Sequence, residues 1–337
     1  MYNCSNNEQI LNYYSMNDKN INQKEEDLVT RIAWLYYQEK MTQHEIAQYI
    51  SLSRQKVQRL LERAKDMEIV RFRIKHPYYN LLKIEREVVK KYGLKDAVII
   101  PAIAFNEEHL RRSFAKACAG YLERFLQRER ELIIGLGWGN TTAYLAEYFE
   151  PPVHNSKIEI VSLIGNLMLN VAMNPYITAE KIANKLNAPF YNIWAPAIAQ
   201  TKERAEIFKS EPWIEEVLNI ARRSNVAVIS VGEVSQSASL FKMGYLSNSD
   251  LERLKKKKAV GDILSRFIDA RGCVISDEIH DRVISISLDV LQNPETLVIA
   301  VSGGPTKFDA IMGAILGGYI DVLVTDENIA KRLIDLP

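Results

Sequence analysis

Met41-Thr-Gln-His-Glu-Ile-Ala-Gln-Tyr-Ile-Ser-Leu-Ser-Arg-Gln-Lys-Val-Gln-Arg-Leu-Leu61 is the stretch on which the organisation of the chain turns. Thr42 precedes an apolar period and Glu45 follows three residues later, the signature of a capping box that opens a helix. Ile46, Ala47 and Ile50 fall on one face of that helix, with Ala47 small enough to let a second helix cross closely. Ser53 is a good N-cap for the second helix, whose apolar positions Val57, Leu60 and Leu61 keep helical spacing. Ser51 stands in the turn where glycine is common. A serine at positive φ costs about 1 kcal/mol, so the turn is expected to be strained.

Two short helices joined in this way turn the start of the second one outward. Ser53, Arg54, Gln55, Lys56, Gln58 and Arg59 are therefore the outward set, joined by Thr42 and Gln43 at the head of the first helix. Arg pairs with guanine and Gln with adenine in the major groove, while Lys and Ser suit phosphate. The composition matches a recognition helix entering a groove by its N-terminal end, and the unit reads as a helix-turn-helix partnered by operator double-stranded DNA.

Downstream, Ile69-Val-Arg-Phe-Arg-Ile-Lys75 switches to period two, with Val70, Phe72 and Ile74 on one face and Arg71, Arg73 and Lys75 on the other. This predicts a wing-like strand with a cationic edge. Between Ser53 and Lys75, eight basic residues face only Glu62, Asp66 and Glu68, although the whole chain has a formal charge of +1. A basic segment on a neutral protein is the footprint of a phosphate-contacting module. A plain helical hairpin used for assembly is the alternative for this unit.

At 337 residues, with 47% hydrophobic and 25% charged residues, the chain has the size and composition of two globular domains. Cys4, Cys118 and Cys273 show no paired spacing, which argues against a disulfide framework and against a metal site. With no membrane-length apolar run and no secretory leader, a cytoplasmic protein is expected. Residues 1–24, rich in Asn, read as a disordered tail and 25–76 as the DNA-binding domain. Residues 77–95 read as a linker helix ending at Gly93, and 96–337 as a larger domain.

In that larger part the pattern becomes α/β. Apolar runs at Ala97–Pro101, Leu132–Leu136, Ile158–Ile164, Val226–Val231, Leu297–Val301 and Val322–Val324 alternate with helical stretches at His109–Leu126, Thr142–Phe149 and Ile214–Arg223. Continuous buried strands alternating with helices predict a mostly parallel sheet covered on both faces. Gly135, Gly165, Gly232 and Gly303 lie at strand ends, where open α/β sheets place ligands. Gly135-Leu-Gly-Trp-Gly-Asn-Thr-Thr142 follows a strand and opens a helix, so the backbone of Gly135, Gly137, Trp138, Gly139 and Asn140, with the Thr141 and Thr142 hydroxyls, suits a phosphate. A dinucleotide is the weaker alternative, because Asn140 stands where G-x-G-x-x-G needs its third glycine. A tight turn without ligand is the other. No cofactor is expected.

Several of these motifs in order resemble the SorC/DeoR family of bacterial sugar-responsive transcriptional regulators. They are Arg31-Ile-Ala-Trp-Leu-Tyr-Tyr37, Met41-Thr-Gln43, Leu52-Ser-Arg54, Ile134–Thr142, Ala259-Val-Gly-Asp262, Val301-Ser-Gly-Gly-Pro-Thr-Lys307 and Gly317–Asp326. The resemblance implies an effector domain built like sugar-phosphate isomerases, a homotetramer, and a repressor of a carbohydrate or polyol operon released by a phosphorylated sugar or polyol. It also implies that Lys307 lies in the effector site, where an amine neutralises phosphate or forms an imine with an open-chain sugar.

Asp262 is a candidate acceptor for sugar hydroxyls, with a helix N-cap before Ile263–Ile268 as the plainer reading. Gly232, Glu233 and Gly165 are further candidates to line the site. His280 reads as structural and Lys255–Lys258 as a solvated turn. A sugar-phosphate enzyme with an accessory DNA-binding domain is the rival function. It needs an acid–base pair that no spacing in the chain reveals, so no catalytic residue is assigned.

Overall fold

A computed structural model describes residues 25–70, 79–102, 106–127, 131–139, 141–151, 157–167 and 175–336. The chain divides into two compact units, Met1–His76 and Pro77–Pro337.

In the first unit, α1 (residues 25–37), α2 (Gln43–Tyr49) and α3 (Arg54–Asp66) enclose one apolar cluster built from Val29, Ile32, Ile46, Val57, Leu60 and Leu61. The capping box is present. The Thr42 amide donates to Glu45 Oε2 at 2.7 Å, and the Glu45 amide donates back to Thr42 Oγ1 at 3.3 Å. The Thr42 amide and the Thr42 hydroxyl, which also donates to Glu45 Oε2, at 2.8 Å, hold the Glu45 carboxyl below its ordinary pKa. Ser53 Oγ accepts from the Lys56 amide at 3.2 Å and starts α3. Ser51 takes φ +55°, the left-handed conformation that the turn demands. Ile69 and Val70 pack on the cluster, whereas the rest of the expected wing, from Arg71, lies outside the described residues, as does the expected tail.

In the second unit seven strands form one sheet: β1 (Asp96–Ile100), β2 (Glu131–Leu136), β3 (Lys157–Ser162), β4 (Phe190–Tyr191), β5 (Val226–Ile229), β9 (Leu297–Val301) and β10 (Val322–Asp326). Their order is β1-β10-β9-β5-β2-β3-β4, and every pairing is parallel. Successive strand residues enter opposite cores, as the pleat requires. Ile134, Ile160, Val226 and Val228 face one cluster with α5 (Glu107–Leu126), while Val161, Ala227, Ile229 and Ala300 face the other with the helix Phe308–Leu316. The expected linker helix, α4 (Tyr79–Tyr92), belongs to this unit: its Val88 is fully buried in the second cluster, and Gly93 ends it at φ +67°.

A second sheet of β6 (Val231–Glu233), β7 (Ala259–Ile263) and β8 (Arg266–Asp269) is antiparallel. It corrects one reading of the sequence: Asp262 caps no helix, because residues on both sides of it are strand. Leu264 and Ser265 connect β7 to β8 at φ +49° and +64°, the two positive φ values that a two-residue hairpin turn requires. The Ser265 amide donates to Asp262 Oδ2 at 3.2 Å and braces this turn.

Strand order sets the site. From β2 the chain proceeds to β3 and β4 on one side, and from β5 to β9, β10 and, by pairing, β1 on the other. The reversal lies between β2 and β5, and a crevice opens at the carboxyl ends of strands at such a point.

Candidate functional site

A cavity of about 180 Å³ occupies that place. Its walls come from the loop after β2 (Trp138, Gly139, Thr141), from Ser230 and β6, from the end of β9 and the loop after it (Val301 to Lys307), from α5, and from Asp262 on β7. The second sheet therefore carries Asp262 to a crevice made by the first.

Lys307, Asp262 and Glu233 are each held by named partners. Lys307 Nζ donates to the Val231 carbonyl at 2.9 Å. Burial pulls the Lys307 amine below the ordinary lysine pKa, and Asp262 and Glu233 oppose that pull. Burial raises the Asp262 carboxyl to about 6, against the charge of Lys307 and the Ser265 amide. Glu233 Oε1 accepts from Ser235 Oγ at 2.9 Å and Ser237 Oγ at 2.7 Å. Burial works against the Glu233 charge, but donors from Thr306, Ser237 and Ser235, with Lys307 nearby, leave its pKa below normal. Two carboxyl groups, Asp262 and Glu233, thus act on one half-buried ammonium. Such a group presents acceptors and a donor to a polyhydroxylated ligand in a site where water competes poorly.

The loops have no slack. A Cβ on Gly232 would lie 1.8 Å from Asp262 Oδ1, and one on Gly303 would lie 2.2 Å from Phe114 Cζ. Gly304 takes φ +99° and donates its amide to Asp326 Oδ2 at 2.7 Å. Asp326 Oδ1 in turn accepts from Asn328 and Ile329, so one carboxylate caps the helix Glu327–Asp335 and pins the Gly303-Gly304 turn.

Of the residues singled out from sequence, Trp138, Gly139, Thr141, Gly232, Glu233, Asp262, Gly303 and Lys307 line this cavity together. Four others do not. Gly135 lies within β2, where a Cβ would meet Leu163 at 2.2 Å, and Gly137 packs against Leu264. The Thr142 hydroxyl closes its own turn by donating to the Gly139 carbonyl at 3.1 Å, and Gly165 packs on the backbone of Ala195 and Pro196. Asn140 lies outside the described residues. The helix expected after this loop is only a 3-10 turn, Thr142–Tyr144, and a four-residue helix, Leu145–Tyr148. The nine-residue helix Phe308–Leu316, behind Lys307, is the stronger dipole next to the cavity.

His280 is structural. Its Nε2 accepts from the Phe267 amide at 2.9 Å, its ring stacks on Phe267, and burial, aided by the Arg266 charge, lowers its pKa to about 4. In the run Lys255–Lys258 the side chains are exposed, with Lys257 paired to Asp277 at 3.0 Å. Arg111, Ser230 and Thr306 line the cavity without having been anticipated. The Ser230 hydroxyl is buried with no hydrogen-bond partner among the described residues.

On the first unit, Ser53, Arg54, Gln55, Lys56, Gln58 and Arg59 are all exposed along one side of α3. Arg63 is paired with Glu25, further along the helix. Thr42, Gln43 and Arg54 meet around one cleft with Tyr36, Lys40 and His44. The Thr42 hydroxyl is committed to its cap. No group of His, Cys, Asp and Glu suited to a metal occurs among the described residues, and no helix there is long and apolar enough to cross a membrane.

The Sugar-bind domain family matches residues 76–335. The chain is 32% identical over 319 residues to the transcriptional regulator LsrR of Enterobacter sp. (strain 638), covering 93% of this chain and 94% of that protein. It is 29% identical to the deoxyribonucleoside regulator of Bacillus subtilis (strain 168), covering 94% and 99%. Among solved structures, the full-length sorbitol operon regulator SorC from Klebsiella pneumoniae superposes with a TM-score of 0.71 at 26% identity, covering 92% of this chain and 99% of that one.

Proposed function

Because this chain belongs to the SorC/DeoR family of transcriptional regulators, we propose that it controls a carbohydrate or polyol operon by holding operator DNA and releasing it when a phosphorylated sugar-like effector binds. One observation carries the reading: a cavity at the strand-order reversal gathers the buried Asp262 with the half-buried Glu233 and Lys307, in a chain whose other unit exposes the basic side chains of α3. In this scheme Arg54, Gln55 and Gln58 read base edges, while Ser53, Lys56 and Arg59 contact phosphates, with Thr42 and Gln43 beside them. The ligand's hydroxyls meet Asp262, Glu233 and Lys307, and Trp138, Gly139, Thr141, Gly232 and Gly303 shape the walls. The effector acts by binding one conformation of a homotetramer better than another, and the difference in affinity is what DNA binding feels. Relatives named as regulators match along nearly the whole chain, which favours this reading over an enzyme with an accessory domain.

The test is a panel of sugar and polyol phosphates. A ligand at 100 times its Kd should add about 2.7 kcal/mol to stability, and the same ligand should release the promoter DNA. Lys307→Ala should abolish that release and leave DNA binding intact. If calorimetry gave the variant the same affinity for the effector as the unmodified protein, the cavity would not be the effector site.

A further inference from the structure

Outside the cavity, the second unit gathers two half-buried cations, Lys209 and Arg266, and neither has an ion-pair partner among the described residues. Arg266 opens β8. Its Nε donates to the Ile286 carbonyl at 3.4 Å, and its other guanidinium nitrogens make no hydrogen bond among the described residues. The segment 279–286 joins this arginine to the helix Lys202–Ser210. On the side of β8, His280 Nε2 accepts from the Phe267 amide at 2.9 Å. On the side of the helix, Lys202 pairs with Asp281 at 3.4 Å, and Ala205 and Phe208 share one apolar cluster with Ile284. Lys209 follows Phe208, and the charge of Arg266 acts on it. Burial pulls both cations below their ordinary pKa, and for Lys209 the Arg266 charge deepens the fall. The carboxylates nearby do not neutralise the pair. Asp281 is taken by Lys202, Glu206 is exposed on the helix, and Asp289, which acts on Arg266, is exposed and forms no ion pair with it. Two like charges drawn out of water without a counter-ion destabilise each other. A planar guanidinium beside a flexible ammonium suits a tetrahedral oxyanion, which accepts from both at once.

We propose that Lys209 and Arg266 form a second anion site, for a phosphoryl dianion, between the helix Lys202–Ser210, the start of β8 and the segment 280–286. Neither side chain lines the cavity, so this site stands whether or not the cavity takes a phosphorylated effector. The anion supplies the counter-charge that the chain itself leaves out, and its binding stabilises the folded protein. Arg266 is paired across the β7–β8 hairpin with Ile263, two positions from the Leu264 that does line the cavity. The two ligands therefore sit on one hairpin, each at its own place.

The experiment titrates the full-length protein with inorganic phosphate and with glycerol 3-phosphate at constant ionic strength, by calorimetry and thermal melting. Lys209→Gln, Lys209→Arg and Lys307→Ala are compared with the unmodified protein. Loss of a charge-assisted contact should weaken one class of phosphate sites at least about tenfold in Lys209→Gln. Lys209→Arg should keep that class, and so should Lys307→Ala, whose change lies in the cavity. In phosphate-free buffer Lys209→Gln should melt no lower than the unmodified protein, because it removes an uncompensated cation. Whichever titrant binds more tightly at this site names the source of the phosphoryl group, a free ion or an ester. Equal phosphate affinity in Lys209→Gln and the unmodified protein would overturn the site. A lower melting temperature of Lys209→Gln without phosphate would overturn it too, making Lys209 a structural partner. So would a phosphate-independent loss of self-association in Lys209→Gln, which would assign the two cations to a carboxylate of a second copy.

Discussion

Asp262 is the most exposing test of the cavity at the scale of a single residue. Its carboxyl is buried, and its pKa rises from 3.8 to about 6 because burial disfavours the charge more than Lys307 favours it. The folded protein therefore holds this proton more tightly than the unfolded chain does. Stability derived from it is present below pH 4 and is lost as pH rises through 6. Without ligand, the unmodified protein should thus lose up to roughly 3 kcal/mol relative to Asp262→Asn between pH 4 and pH 7. Denaturant unfolding at several pH values measures this, and parallel pH profiles for the two proteins would show that Asp262 is not buried as a carboxyl. Neighbouring arginines show what residue types alone conceal. Arg111 turns to the cavity, whereas Arg112, one step around α5, pairs with Glu147 at 2.6 Å and lies over the Tyr144 ring. Nothing in the local sequence separates the two; a 100° rotation along the helix does.

Among the elements, α3 was legible because its start is a local event. The Ser53 hydroxyl and the Lys56 amide are three residues apart, so composition and spacing are sufficient. Ser53→Ala should cost about 1 kcal/mol, lowering amide protection in α3 about fivefold in hydrogen exchange. Ser51→Gly should have the opposite sign, relieving a serine held at φ +55°. Protection that does not respond to either change would mean that packing alone sets the stability of this unit. The β7–β8 hairpin was illegible for a related reason. Its turn residues, Leu264 and Ser265, lack the Asn-Gly or Gly chemistry that announces such a turn, and the Asp262 carboxylate braces it instead. The segment was therefore open to a helical reading. Likewise, the loop after β2 looked like the opening of the helix Thr142–Phe149, which begins as a 3-10 turn, while the longer helix next to the cavity is Phe308–Leu316.

For the whole molecule, charge and topology separate the two tasks. A formal charge of +1 overall coexists with a concentrated cationic face on α3, so DNA affinity should fall steeply with salt, in proportion to the phosphates contacted. Within that face, Arg54→Ala should reduce binding to the specific operator more than binding to random duplex; equal losses in a gel-shift titration would reassign Arg54 to a backbone contact. The doubly covered parallel sheet places its crevice where strand order reverses, between β2 and β5, and the position of the cavity follows from that topology.

The order of amino acids was enough to reveal the helix caps, the strained turn at Ser51, six strands of the main sheet and the candidates Asp262, Glu233 and Lys307. The caps, the turn and the strands are signalled within a few residues, by period or spacing, whereas Lys307 was placed by the family resemblance. The cavity itself is different, because it joins Arg111, Trp138, Ser230, Asp262 and Lys307 from across some two hundred positions. Side-chain direction and strand order, which no local window encodes, bring those groups within reach of one ligand. The same packing keeps Gly135, Gly137, Thr142 and Gly165 off the wall of this cavity: the glycines let backbone and core come together, and Thr142 closes its own turn.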